Sequence, residues 1–388
     1  MKRNRLKLSL FTVTAVFFGT SLKAQLVDDR AFMIGDFVEI GINPSGYEGA
    51  ELVDTIPTHA RGFTGKLGFV ANPQADGWIN YDGDFYLPGS PENGFGLTYT
   101  LLDSTYHRAN NAMGLADIPG SITSVIDNVD STIVIWEGTI DDLEIDVMYE
   151  LQKDQHSYST KISITNVGTE TFTDMYYYRT LDPDNNQDIA WGFATTNTIE
   201  TQAGMSDDTV RVSAVSDVTW LSEMVFHTYG ANWRGFTGGF SNRNGSAMWN
   251  GTASINVDEG YSNTADQAIG LAYKVGTLAP GKAGSDVFSF ETVFNREEFY
   301  AAMEEDDSGI NEYNLDFKLF PNPTENKTTT ITVDGNFEYQ IIDASGKLVK
   351  TGYGNNVKKL DLNALDNGIY IIHIQQEEKI AKQKIILQ

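Results

Sequence analysis

The chain has 388 residues, no cysteine and a formal charge of −26. Without cysteine there is no disulfide, no thiolate nucleophile and no cysteine-bound zinc, so an ordinary apolar core or a bound cation must hold the protein together. The charge is uneven. Residues 25–314 carry 13 basic against 44 acidic residues, a net of −31. No nucleic-acid partner is expected of such a surface, because binding to phosphates needs Lys and Arg to neutralise them. It keeps a protein soluble and attracts divalent cations.

The chain opens on Lys2, Arg3, Arg5 and Lys7, followed by a mostly apolar stretch from Leu8 to Leu22 and a small residue, Ala24. This is the pattern of a secretory signal peptide over residues 1–24, with Gln25 as the mature N-terminus. The apolar stretch is shorter than the ~20 residues of a membrane span. No later run reaches that length, so no transmembrane anchor is expected in the mature chain.

Residues 25–303 are rich in Gly, Asn, Asp, Thr, Tyr and Phe and poor in helix formers. Thr132–Trp136, Leu143–Leu151, Tyr158–Thr165 and Phe172–Arg179 have the period-two pattern of strands with one wet face. With a turn at Asn166–Glu170 they read as one antiparallel meander. Further strands are expected at 209–215, 223–228, 235–240, 267–275 and 286–294. Asn295, followed by Arg296, Glu297 and Glu298, reads as the cap and first turn of a short helix to Met303. The expected fold class is all-β, with a large antiparallel β-sandwich as the passenger domain.

Residues 304–314 form an acidic linker, after which Lys and Ile take over. Candidate strands follow at Phe317–Phe320, Thr328–Val333, Glu338–Asp343, Lys347–Thr351, Lys358–Leu362, Ile369–Gln375 and Ile380–Leu387. Pro321 and Pro323 fix φ and remove donors, so the first of these strands must stop or lie at an edge. Asp343-Ala344-Ser345-Gly346-Lys347 and Asn367-Gly368 read as hairpin turns, with Tyr370 on the strand after the second. Seven short strands in so short a span predict a small Ig-like β-sandwich.

The order Pro321-Asn322-Pro323, Gly346-Lys347, Gly368 and Tyr370, over residues 315–388, resembles the type A C-terminal sorting domain of the bacterial type IX secretion system. Phe320 stands where that family often has Tyr. The resemblance implies export through the periplasm, engagement of the secretion machinery, and a passenger that is secreted or left on the outer-membrane surface. Two further strings, Gly83–Pro91 and Arg179–Asn185, are similar to a β-rich module of bacterial surface proteins that has no assigned activity.

For chemistry, the best candidate is Asp182-Pro183-Asp184-Asn185-Asn186-Gln187-Asp188. Asp182, Asp184, Asn186 and Asp188 place oxygen side chains at every second position, a pattern that can wrap calcium. It is not an EF-hand, since Gln187 replaces the needed Gly and Phe193 the bidentate Glu; the alternative is a polar turn. A second candidate is the Gly-rich loop around Trp78, Tyr81, Asp82, Asp84 and Tyr86, whose rings could stack on sugars while its acids bond hydroxyls. The five histidines lack metal-ligand spacing, and no HExxH, GxSxG or Walker loop occurs, so no catalytic residue is assigned. The expected function is a non-enzymatic surface or secreted binding protein, adhesion-like, taking glycan or matrix, with calcium ordering its loops. The alternative is a carbohydrate-active enzyme, a polysaccharide lyase or glycoside hydrolase on a β-sandwich, with a cleft joining Asp82, Asp84, Tyr106, His107 and Arg108.

Overall fold

The computed structural model describes residues 23–56, 58–59, 65–78, 92–187, 192–204, 208–216, 222–281, 285–301, 317–324, 326–343, 348–376 and 379–387. The expected signal peptide lies almost wholly outside them; its last residue, Ala24, opens the strand Ala24–Val27. The chain forms two compact units, Met1–Arg296 and Glu297–Gln388.

The first unit is the all-β sandwich that the alternation predicts. In strand Leu143–Gln152, Leu143, Ile145, Val147, Tyr149 and Leu151 are buried while Glu144 and Asp146 are exposed. Sheets assembled from such strands must bury the apolar face against a second sheet. The larger sheet has nine antiparallel strands in the order Ser262–Ala265, Thr195–Thr201, Thr209–Ser216, Glu223–Tyr229, Ser285–Val293, Ser157–Asn166, Leu143–Gln152, Ser131–Ile140 and Gly120–Asp127. The smaller has six, in the order Ile255–Asn256, Trp233–Gly238, Ala268–Leu278, Phe172–Leu181, Asn93–Leu101 and Ser104–Asn111. Aromatic rings fill the space between them: Trp233 meets Phe288 at 5.5 Å, Tyr177 meets Phe288 at 5.2 Å and Phe95 meets Trp136 at 5.6 Å. A separate four-stranded sheet joins Ala24–Val27, Arg30–Ile34, Val38–Ile42 and Phe69–Ala71.

Three of the four expected strands form the meander, which Gly120–Asp127 extends at its start. Ser131–Ile140, Leu143–Gln152 and Ser157–Asn166 pair in sequence, but Phe172–Leu181 crosses to the smaller sheet. The reason lies in its burial. Residues 175–181 are buried on both faces, which a sheet with a wet outer face cannot accommodate. On the smaller sheet the outward Tyr178 is covered by a six-residue helix, Gly245–Asn250, through Met248. That helix, capped by Asn244, is too short to leave a periodic signal. The hairpin Asn93–Leu101 and Ser104–Asn111 also escapes the pattern. Gly94 and Gly96 dilute it, and Gly96 is required because a Cβ there would lie 2.3 Å from the Tyr178 hydroxyl.

Between the sheets sits a fully buried ion pair. Arg179, on the smaller sheet, donates to Glu48 at 2.8 Å, with side-chain exposures of 2% and 0%. Tyr158, on the larger sheet, donates to the other Glu48 oxygen at 2.8 Å. Arg179 also donates to the carbonyls of Gly94 and Thr180. The loop carrying Glu48 is fastened by Asn93 Nδ2 to the Glu48 carbonyl at 2.6 Å, Tyr149 to the Gly46 carbonyl at 2.9 Å and Trp136 Nε1 to the Pro44 carbonyl at 3.0 Å.

The second unit is β throughout among its described residues from 317 onward, with helical backbone at 296–301 at the boundary of the two units. Its strands are Phe317–Phe320, Thr328–Asp343, Leu348–Asp361, Gly368–Gln376 and Lys379–Leu387. Seven expected strands are therefore five. Thr328–Val333 and Glu338–Asp343 are halves of one strand, bent by a register shift between Thr332 and Asn336 where Gly335 takes φ +92°. The strands expected at Lys347–Thr351 and Lys358–Leu362 are likewise one, and Gly352 and Gly354 between them are cross-strand partners of Tyr339 and Phe337. A Cβ at Gly354 would meet the Phe337 ring at 2.3 Å, so glycine here serves aromatic packing and not a turn.

Removing one partner of a buried pair strands the other's charge, at a cost of about 3–5 kcal/mol. Glu48→Ala should therefore lower the unfolding free energy of the first unit by about that much in urea titration. Glu48→Gln combined with Arg179→Met should lose clearly less than the two single changes added.

Candidate metal centre

Three strands of the smaller sheet end together. Leu181 pairs with Ile269 on one side and with Asn93 on the other. The residues just beyond these ends are Asp182, Asp266 and Glu92, so the register alone brings three acids to one edge. Asp182 N donates to the Glu92 carbonyl at 2.8 Å. Glu92 has its own counter-ion: both carboxylate oxygens lie 3.0 Å from Arg243, and Ser241 N donates to it.

Asp182, Asp184 and Asp266 are in a different state. One carboxylate oxygen from each lies within 4.8 Å of the others. Asp182 and Asp184 are 2% exposed and Asp266 is exposed. Burial, with the charges of Asp184, Asp266 and Glu92 added, pushes the Asp182 pKa up to about 9. Burial also raises Asp266. The loop that carries the first two is tightly wound: Asp184 N reaches the Asp182 carbonyl at 3.1 Å, and Gln187 N the Asp184 carbonyl at 3.0 Å. Asn185 Nδ2 anchors it to the carbonyls of Ala214 at 2.8 Å and Ser222 at 3.1 Å.

The donor set suits a hard cation. Calcium takes oxygen ligands at about 2.4 Å, so oxygens up to twice that distance apart can share one ion. Asp182 Oδ1 and both amide atoms of the buried Asn186 have no hydrogen-bond partner among the described residues. The sequence pattern placed Asp182, Asp184, Asn186 and Asp188 together. The structure brings Asp182 and Asp184 together, sets Asn186 in a left-handed turn at φ +65°, and leaves Asp188 outside the described residues. It adds Asp266, which sequence reasoning missed. The signal would have been the register Leu181–Ile269, invisible without the sheet.

The second candidate loop is only partly described. Tyr81, Asp82, Asp84 and Tyr86 lie outside the described residues. Trp78 stacks on His59 with centroids 4.2 Å apart and an interplanar angle of 1°, and its Nε1 donates to the Asp36 carbonyl at 3.2 Å. His59 Nδ1 is 2.7 Å from the buried Glu39. Tyr106, His107 and Arg108 do not converge. Arg108 donates to Asp141 at 2.9 Å and lies over Tyr106, which packs on the buried Tyr99. His107, one position along the same strand, faces the opposite side and meets Thr98 Oγ1 at 2.9 Å.

In the second unit, Pro321 and Pro323 end the strand Phe317–Phe320 in cis peptides, and Asn322 Oδ1 accepts Ile386 N at 2.9 Å. The Tyr370 hydroxyl donates to the Asp366 carbonyl at 3.0 Å. Gly346 and Lys347 lie outside the described residues, while the strands on either side pair as a hairpin.

A β-sandwich passenger followed by such a tail defines an exported protein carrying its own sorting module. Residues 318–388 match the secretion system C-terminal sorting domain family. The protein therefore engages the type IX secretion machinery and goes to the cell surface or is secreted. Among the described residues no helix is long and apolar enough to cross a membrane.

Among curated proteins none matches the chain. Among solved structures, it is similar to a polysaccharide lyase with TM-score 0.34 and 10% identity, over 95% of this chain and 46% of that one. It is similar to the heparan sulfate lyase HepC from Pedobacter heparinus with TM-score 0.32 and 8% identity, over 86% and 43%. It is also similar to the α-galactosidase AgaB from Geobacillus stearothermophilus with TM-score 0.32 and 9% identity, over 70% and 41%. The chain spans less than half the length of each of these proteins.

In chelator, the folded protein holds the Asp182 proton up to pH about 9, while the unfolded chain releases it near 3.8. The stability this group contributes is complete below the lower value and is lost as pH rises toward the upper one. Asp182→Asn should remove that loss. In EDTA, thermal melting of the variant should exceed wild type at pH 8 by a shift equivalent to up to about 6 kcal/mol, and the two should converge near pH 4.

Proposed function

We propose that the passenger is a non-enzymatic binding protein, presented outside the cell for glycan or matrix. In this reading a calcium ion, held by Asp182, Asp184 and Asp266, orders the end of its smaller sheet. The observation that carries this is the convergence of three carboxylates, two of them buried, with the charges of Asp184, Asp266 and Glu92 acting on Asp182. Such a group repels itself and must keep a proton or take a cation. Outside the cell, where calcium is plentiful, the cation is the natural solution. The cluster joins a loop from the smaller sheet to the turn that follows an edge strand of the larger one. A cation there would tie the two sheets at their rim, as structural calcium does in extracellular modules, and hold the neighbouring loops in one shape for a ligand.

Calorimetric titration of calcium into the full chain should show one saturable site. Saturating calcium should raise the melting temperature by several degrees, corresponding to about 2–3 kcal/mol at a hundredfold excess over Kd. Asp184→Ala and Asp266→Asn should each abolish both heat and shift. Absence of heat and shift in the wild type would sink the reading.

A further inference from the structure

We infer that the outer face of the smaller sheet is a recognition surface for an anionic polysaccharide, bearing carboxylate or sulfate groups, held by Arg234, Lys274 and Trp249. This rests on the reading of the passenger as a binding protein but not on its cation. The first observation is one of charge. In a passenger of net −31, cations are scarce, and six of the thirteen, Arg30, Arg108, Lys153, Arg179, Arg243 and Arg296, are each in an ion pair. Arg234 and Lys274 have no ion pair among the described residues. Both stand on neighbouring strands of one sheet, Trp233–Gly238 and Ala268–Leu278, and on the same face.

That face follows from register. Trp233 and Tyr273 are partners and point into the core. Arg234, Ala272 and Lys274, each one position away, therefore point out. Tyr176 is the direct partner of Lys274, and Thr98 of Tyr176. His107 continues the row as the partner of Thr98. Thr98 and Tyr176, in the middle of that row, are buried beneath the helix Gly245–Asn250, which leaves Arg234, Lys274 and Trp249 as the accessible part of the face.

The second observation is how the cation is held. The Arg234 guanidinium lies 5.2 Å from the centre of the Trp249 ring, and Trp249 in turn touches Tyr176 at 6.3 Å. Trp249 is half-buried and is presented by the short helix Gly245–Asn250, whose Gly245 N is tied to Thr98 Oγ1 at 2.8 Å. A guanidinium resting over an aromatic ring can take a carboxylate or sulfate through two parallel bonds. Lys274, exposed, adds a mobile point charge. A neutral sugar would use the ring and leave both charges unanswered. A nucleic acid is disfavoured by the surrounding −31, whereas a polysaccharide with spaced anionic groups can meet two cations without lying along the acidic remainder.

The test is affinity electrophoresis and calorimetry of the full chain in EDTA, so that the cation cluster plays no part. The probes are chondroitin sulfate, polygalacturonate, a neutral β-glucan and poly-glutamate. We expect binding to one or both anionic polysaccharides, weakened by salt, and none to the glucan. Arg234→Ala and Trp249→Ala should each weaken it by about tenfold or more, and Lys274→Ala by several-fold. Arg234→Lys should fail to restore it, since the bidentate geometry is lost. Arg234 and Lys274 are surface side chains, so their variants should melt as wild type does. Equal binding to the neutral glucan, equal binding to poly-glutamate, indifference to both Arg234→Ala and Lys274→Ala, or no binding to either polyanion would each overturn the inference. Failure here with calcium binding intact would leave the exported binding protein standing and remove only its ligand class.

Discussion

The sandwich is organised around a charge that cannot reach water. Arg179 is carried into the smaller sheet by a strand whose residues from Met175 to Leu181 are all buried, and its guanidinium has no route out. It must be answered inside, and among the described residues Glu48 answers it with charge. Glu48 belongs to no strand of either large sheet. Its loop has to enter the sandwich to deliver the carboxylate, and Tyr158, Tyr149 and Trp136 of the larger sheet then close on that loop. A buried pair adds little net stability by itself. What it adds is a condition: the two sheets and the N-terminal loop can assemble in one arrangement only, because every other arrangement leaves a charge unpaired.

The same strand sets the candidate site. Arg179 fixes the strand between the sheets, and three residues later the chain leaves the sheet at Asp182. The neighbouring strands end at the same level, and acids lie just past each end. Glu92 is neutralised by Arg243, while Asp182, Asp184 and Asp266 are left facing one another. Within one sheet edge, Glu92 is paired with an arginine, while burial raises Asp182 and Asp266.

Much of this was legible in the sequence, for reasons that can be named. The period-two runs at Leu143–Leu151 and Tyr158–Thr165 are strands because one face is wet and the other dry, and that contrast is written residue by residue. The tail was legible through punctuation: Pro321 and Pro323 end a strand wherever they occur. Phe172–Leu181 misled because a strand buried on both faces carries no information about which sheet it joins. The strand Leu348–Asp361 was expected as two pieces because the stretch between them, with Gly352 and Gly354 making room for Tyr339 and Phe337, carries no apolar alternation. Asp266 could not be found because its nearness to Asp182 is a property of the register between two strands far apart in the chain. Arg234 and Trp249 are likewise joined only through the sheet and the short helix that covers it.

The most direct test of the account is a crystal structure of the full chain grown in manganese, with anomalous data collected for the ion. The account requires an anomalous peak bonded to carboxylate oxygens of Asp182, Asp184 and Asp266 together. Peaks confined to other acidic groups of the surface, with Asp182 hydrogen-bonded to a neighbouring carboxylate as a protonated acid, would contradict it. In that case the cluster is a proton site of the fold and not a metal centre.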